Sequence, residues 1–249
     1  MLKTARRSIR DIAASAGVDL RRFDPLAFEH HRLKLLLNAH QVDLVLDIGA
    51  NTGQWACDLR HSGYDGEMIS FEPLAEAHGA LVRNARGTHN WTIAPRLALG
   101  DCNAEVEINV AGNSFSSSIL PMLPTHVNGA PHSAYVGTEK IAMVTLDSLV
   151  GTVIPSDCQR IFCKLDVQGF EAKVLAGAVA LLERTVGLQM EMSLAPLYQG
   201  QTAFTELLET MTGLGFELFG LVPGFVDPAS GRMLQVDGVF FRDFGKGSD

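Results

Sequence analysis

Four acidic residues close short apolar runs: Asp47 in LVLDIG, Glu72 in MISFEP, Asp166 in IFCKLDV and Glu191 in GLQMEM. A carboxylate at the end of a buried strand can accept hydrogen bonds from ribose hydroxyls or take a proton from a reacting group. Residues 41–53, QVDLVLDIGANTG, carry the strongest of these signals. An apolar run ends there in Asp47-x-Gly49-x-x-x-Gly53, a glycine turn in which missing side chains let backbone approach a ligand. Nineteen residues beyond Gly53, Glu72-Pro73 closes a second run, at the spacing of a ribose-binding acid.

The turn is not a phosphate loop. It lacks the Gly-Lys-Ser/Thr of a Walker sequence and the third glycine of G-x-G-x-x-G. The ligand implied therefore has a ribose and no pyrophosphate, which fits S-adenosylmethionine: an adenosine, a sulfonium cation and an amino-acid tail. A third stretch, Leu97 to Asp101 (LALGD), reads as a further strand whose Ala98 and Leu99 would lie beside an adenine.

Asp166 and Glu191 end adjacent predicted strands and are the first candidates for a general base. The alternative for Asp166 is that it caps the following helix, read here as Gly169 to Leu182. The two acids could share a divalent cation, but two carboxylates are too few to define a metal site. His126 and His132, in a long loop, are further candidates for the base, or are simply solvated. Lys164 is a cation inside an apolar strand and calls for an acidic partner, because burial without one is costly. Tyr198 reads either as a platform for an acceptor ring or as a core aromatic.

These residues need a scaffold. From residue 41 the chain alternates strand and helix, the pattern of a mostly parallel sheet covered on both faces. Additional strands are read at Glu105 to Val110 and Ile141 to Leu146. The last two, Phe216 to Val222 and Val236 to Arg242, form a hairpin with one antiparallel strand near the sheet edge, so the fold class is the α/β, Rossmann-like sheet of a class I methyltransferase. Ala111 to Lys140 and Ser193 to Thr202 read as loops over the carboxyl ends of the strands, where ligands sit in open α/β sheets. We divide the chain into a helical extension, 1–40, and a cofactor domain, 41–249.

At 249 residues and 47% hydrophobic composition the chain can build one sizeable core. No run approaches a membrane span and the N-terminus lacks the apolar stretch of a secretory signal, so the expected location is cytoplasmic. Cys57, Cys102, Cys158 and Cys163 follow no zinc spacing and read as buried reduced thiols. Charge is uneven. Residues 1–34 carry eight basic against four acidic side chains, the remainder twelve against twenty-four. The acidic body argues against a nucleic-acid partner, whereas the basic segment is either a solvated helical cap or a surface for peripheral contact with anionic lipid.

DIGANTG, SFEP, ALGD, NSFSSSI, VTLDSL, KLDVQGFE and QVDGVFFR, in this order over residues 40 to 242, resemble the FkbM family of S-adenosylmethionine-dependent methyltransferases. The resemblance implies O-methylation of a small-molecule hydroxyl. KLDVQGFE and LAPLYQGQ look especially like actinobacterial members acting on deoxysugars of cell-envelope glycolipids. It also implies that Asp47, Gly49, Ala50, Asn51 and Gly53 form the cofactor loop, and that Glu72, followed by Pro73, is the ribose carboxylate. Ser116 and Ser117 would face the cofactor or the acceptor. Asp166, Gln168 and Glu171 fall in an Asp-x-Glu-Gly-x-Glu-like motif in which this chain has Gln168 for the commoner Glu, leaving Asp166 or Glu191 to act as acid or base. Competing readings are a methyltransferase for a polyketide or other non-sugar hydroxyl, an NAD-dependent reductase, disfavoured by the absence of a Tyr-x-x-x-Lys pair, and a cofactor-binding protein without catalysis. Oligomeric state is not readable.

Overall fold

The computed structural model describes residues 9, 11–18 and 24–242. A seven-stranded sheet forms the centre. It contains β1 (Leu44–Ile48), β2 (Glu67–Phe71), β3 (Trp91–Ile93), β7 (Ile161–Leu165), β8 (Thr185–Ser193), β9 (Glu217–Pro223) and β10 (Gln235–Phe241) in the order β3-β2-β1-β7-β8-β10-β9. The pairings from β3 to β8 are parallel, and β10 runs antiparallel to both β8 and β9. This is the expected mostly parallel class I sheet with its reversed strand near one edge. β4 (Ala98–Leu99), β5 (Ala104–Ala111) and β6 (Tyr135–Val144) make a separate three-stranded sheet.

The two faces of the large sheet differ. Leu44, Leu46, Ile48, Cys163, Leu165, Leu188 and Met190 lie in one apolar core. The opposite face starts apolar, with Val45, Met68 and Phe162 packed under helices α1 (Glu29–Ala39) and α2 (Gln54–His61) through Leu33, Leu37, Ala56 and Leu59. Two residues further along each strand that face turns polar. Ser70, Asp47, Lys164 and Gln189 stand side by side across β2, β1, β7 and β8. Side chains alternate faces along a strand, so this row lies at one level, at the carboxyl ends where the site is expected.

Three expectations are corrected. The third strand of the large sheet is Trp91–Ile93, paired with β2, and Ala98–Leu99 pairs with β6 instead. Pro95, which has no N–H to give a ladder, separates the two pieces. The single helix expected over Gly169 to Leu182 is two, α6 (Glu171–Ala176) and α7 (Val179–Leu182). They part at Gly177, where a Cβ would lie 2.0 Å from the Gly100 carbonyl oxygen. The loop from Ala111 to Lys140 contains α4 (Pro124–Gly129) and gives its last residues to β6. Among the cysteines Cys163 is buried, but Cys102 is exposed. No helix among the described residues is long and apolar enough to cross a membrane. Most of the basic N-terminal residues, including all those before Ile9, lie outside the described residues.

Candidate active site

A cleft of about 700 Å³, counting its open mouth, lies over the carboxyl ends of β1, β2 and β7. The predicted residues Gly49, Asn51, Glu72, Pro73, Ala98, Leu99, Ser117 and Asp166 line it. Glu72 is held by backbone: its Oε2 accepts from the Asn51 N–H and its Oε1 from the Leu74 N–H, each at 2.8 Å. Asn51 is in the left-handed region, φ 48°, and donates from Nδ2 to the Ser114 hydroxyl at 3.1 Å. The glycine turn is thereby tied both to the second strand and to the serine loop. Burial drives the Glu72 carboxyl up to about 7 against the pull of those two amides.

Four residues of the expected cofactor set lie behind the cleft wall. Asp47 is fully buried, accepts from the Ser70 hydroxyl at 2.9 Å and faces Lys164 Nζ at 3.8 Å. Burial pushes its carboxyl above the usual aspartate range despite Lys164 and Ser70. Ala50 packs in the core under α1 and α2. A Cβ on Gly53, φ 90°, would meet Leu81 at 2.8 Å and the Trp91 ring at 3.0 Å, so this glycine serves packing behind the turn. Ser116 is buried and bonded to Asn113, whereas its neighbours Ser117 and Ser118 reach the cleft.

Beside the cleft the polar row becomes a connected network. Lys164 donates to Asp166 Oδ2 at 3.0 Å. Burial alone would lower the lysine's pKa, but Asp166 and Asp47 overcome it and hold the ammonium above its ordinary value. Gln168 Nε2 donates to Asp166 Oδ1 at 2.7 Å and to Glu191 Oε2 at 2.8 Å, and Gln168 Oε1 accepts from the Tyr198 hydroxyl at 2.6 Å. Asp166 and Glu191 are therefore brought together, as expected, and the amide of Gln168 stands between them. Burial, then Asp166, Asp237 and Glu171, raises the Glu191 carboxyl well above the glutamate range. Glu171 turns away and accepts from the Val167 and Gly169 N–H groups at 3.1 and 3.2 Å, fixing the turn that carries Gln168.

The histidines stand apart. His126 is buried in α4 with its ring 5.2 Å from that of Tyr198 and 5.3 Å from that of Phe225. Burial lowers its pKa to about 4, so it is a neutral packed ring, and it does not reach the cleft. His132 is exposed in a 3-10 turn and does not line the cleft either. Tyr198 is fully buried and belongs to the network rather than to an open face.

Two residues that sequence reasoning did not single out complete the arrangement. Asp237 lies opposite Glu191 in the β8–β10 register, and Gln189 Nε2 donates to both Asp237 and Glu29 at 2.8 Å. Burial, then Asp166, moves the Asp237 carboxyl up to about 6. Each is a polar residue inside an apolar strand, the signal that marked Lys164. Among the described residues no group of three or more His, Cys, Asp or Glu is arranged to hold a metal ion.

Comparison with known proteins decides the family. The model of the methyltransferase FkbM domain matches residues 47–218, which begin at Asp47 and take in the cleft network except Glu29 and Asp237. The chain belongs to the FkbM methyltransferase family. The family model describes a methyltransferase domain, so the chain is a methyltransferase of the FkbM type. No curated protein sequence matches it. Among solved structures it is similar to TehB from Haemophilus influenzae, at 12% identity and a TM-score of 0.47, over 86% of this chain and 63% of TehB. It is also similar to an rRNA methylase from Streptococcus thermophilus (13%, 0.46, over 90% and 99%). A TehB-like methyltransferase from Corynebacterium glutamicum matches over 97% of both chains, at 13% identity and a TM-score of 0.40.

Proposed function

We propose that this FkbM methyltransferase moves the methyl group of S-adenosylmethionine to a hydroxyl of a sugar, with a deoxysugar of a cell-envelope glycolipid as the acceptor class. The observation that carries the reading is the charge of the cleft. Its described lining holds two ionisable residues, Glu72 and Asp166, both acids, and no lysine, arginine or histidine. Such a wall suits a cationic, phosphate-free cofactor and a hydroxyl-bearing acceptor, and it gives a pyrophosphate or a nucleic-acid backbone no counter-charge.

When bound, S-adenosylmethionine supplies an electrophilic methyl carbon on a positively charged sulfur. Glu72 keeps a lone pair on each oxygen for ribose hydroxyls, because each backbone amide occupies only one. Ala98, Leu99 and Phe170 offer an apolar slot for a flat base. The acidic wall at Asp166 favours the sulfonium charge, and walls that exclude water favour alignment over side reactions.

Asp166 and Glu191 are the groups that would accept the hydroxyl proton. Asp166 faces the cleft, with its charge balanced by Lys164. Glu191, whose burial beside Asp166 and Asp237 raises its affinity for a proton, is the second candidate acceptor. The glycolipid assignment rests on the KLDVQGFE and LAPLYQGQ sequences. It agrees with the basic segment at residues 1–34, which would draw a cytoplasmic enzyme towards anionic headgroups around a lipid-linked acceptor.

The first test is calorimetric titration of chelator-treated protein with S-adenosylmethionine and, separately, NADH. Binding of S-adenosylmethionine alone is expected; binding of NADH alone, or of neither, would sink the reading. Methyl-labelled cofactor offered with free deoxysugars, glycolipids and polyketide alcohols then separates the acceptor classes. Label in the polyketide alcohols alone would replace the sugar assignment.

A further inference from the structure

Gln168 is an unusual residue to find at the centre of this network. It is 8% exposed and sits in the left-handed region at φ 54°, a conformation that costs a non-glycine residue free energy unless its surroundings enforce it. The enforcing contacts come from three separate parts of the chain. The Ser118 hydroxyl donates to its backbone carbonyl at 2.7 Å, the Tyr198 hydroxyl donates to its Oε1 at 2.6 Å, and its Nε2 donates to Asp166 and Glu191. An amide nitrogen has two hydrogens, and both are spent on the two carboxylates.

Resting on the methyl-transfer reading, we propose that Gln168 is the positioning residue of the site: its amide clamps Asp166 and Glu191 into one proton-accepting unit and joins that unit to the serine loop through Ser118 and to the 193–202 loop through Tyr198. Two carboxylates at such close quarters repel, and a neutral double donor between them offsets the repulsion without adding charge. The titratable groups facing Glu191 are Lys164 from β7, Asp166 just after it, Glu171 from α6, Asp237 from β10 and Tyr198 from the 193–202 loop. Lys164 alone among these favours the ionised acid, so the Gln168 N–H is the other contact that keeps Glu191 able to accept a proton. An aliphatic side chain of the same length could fill the space but could not do this.

The test is the titration of Glu191 followed by ¹³C NMR of the glutamate carboxyl carbon in the full-length wild type, Gln168→Met and Gln168→Gly. Met keeps the volume and Gly relieves the left-handed backbone, and neither carries charge or a side-chain N–H. Removing one charge-assisted hydrogen bond is expected to move the Glu191 midpoint up by about one pH unit in every variant that folds. A midpoint unchanged in either folded variant overturns the proposal and reduces Gln168 to packing. Calorimetry with S-adenosylmethionine on the same wild-type sample keeps the two claims apart. Failure of cofactor binding refutes the methyl-transfer reading, while the NMR titration still decides whether the amide controls the acid.

Discussion

Gly49 and Asp166 meet backbone to backbone: a Cβ placed on Gly49 would lie 1.9 Å from the Asp166 carbonyl oxygen. The Asp166 N–H also donates to the Ile48 carbonyl at 3.0 Å, so the ends of β1 and β7 are fastened where the cleft begins. The first glycine of the turn thus has a task besides making room for a ligand: it lets the strand carrying the candidate base come close to the strand carrying the cofactor turn. Gly49 also has φ 81°. Gly49→Ala is expected to cost about 2–4 kcal/mol in urea unfolding, from the left-handed strain plus a contact that backbone must move to relieve. An unfolding midpoint equal to wild type would show that the two strand ends separate freely.

Legibility in the sequence followed burial. β1 and β7 are buried at every position and read as uninterrupted apolar runs, within which Asp47 and Lys164 stood out as polar breaks. The cleft-lining acids were legible for the same reason, since each closes such a run. What failed was local. Trp91–Ile93 has only three residues, its pattern mixing Trp91, which donates to Ser70, with an exposed Thr92, and the longer apolar stretch at Leu97 hid it. The break at Gly177 depends on a carbonyl 77 positions away in the chain, and nothing in a helical pattern reports such an approach. His126 looked like a loop residue because its partners, Tyr198 and Phe225, are distant in sequence. Gln168 was visible as a departure from a motif and the approach of Asp166 and Glu191 was expected from their adjacent strands, but the amide reaches between them only through the left-handed turn at Gln168.

With Glu72 as the proposed ribose acceptor, cofactor binding is expected to depend on pH. The Glu72 carboxyl titrates at about 7 in the fold, and a carboxylate accepts from ribose hydroxyls best when ionised. Affinity for S-adenosylmethionine should therefore rise about tenfold between pH 6 and pH 8, with proton release detectable by calorimetry in buffers of different ionisation enthalpy. Flat affinity across that range would remove Glu72 from the contact. Glu72→Ala is expected to abolish binding, because it also strips the Asn51 and Leu74 amides of their acceptor.

Stability should move the opposite way with pH. Glu72 and Glu171 are both raised from 4.5 to about 7 in the fold. The folded chain thus holds more protons than the unfolded one between those values. The resulting stabilisation is complete below pH 4.5 and is lost as pH rises through 7. Unfolding by urea should show the protein more stable at pH 5.5 than at pH 7.5, by on the order of 1–3 kcal/mol. Equal stability would mean that water reaches these carboxyls and relieves their burial.

Lys164 is 5% exposed and stands between Asp47 and Asp166. Lys164→Met keeps the volume of the side chain and leaves two acids facing each other without a cation. Breaking a buried pair from one side costs about 3–5 kcal/mol. Pairing the change with Asp47→Asn should restore part of that loss, because it removes the buried charge that the lysine offsets. Thermal unfolding of the single and double variants checks this. A double variant no more stable than Lys164→Met would place the cost in packing rather than charge.

Asp166→Asn separates binding from chemistry. The amide oxygen can still accept from Lys164 while the bond from Gln168 Nε2 is lost, and the Asp166 backbone contacts with Ile48 and Gly49 do not involve the side chain. Cofactor affinity should fall by no more than about tenfold, because the charge facing the sulfonium is lost while Glu72 and the glycine turn stay in place. Single-turnover transfer to an acceptor found in the labelled-methyl screen is expected to slow by about 10²–10⁴-fold if the Asp166 carboxylate takes the hydroxyl proton. Turnover at the wild-type rate would pass the role to Glu191, whose raised proton affinity makes it the next candidate, and Glu191→Gln would then carry the loss.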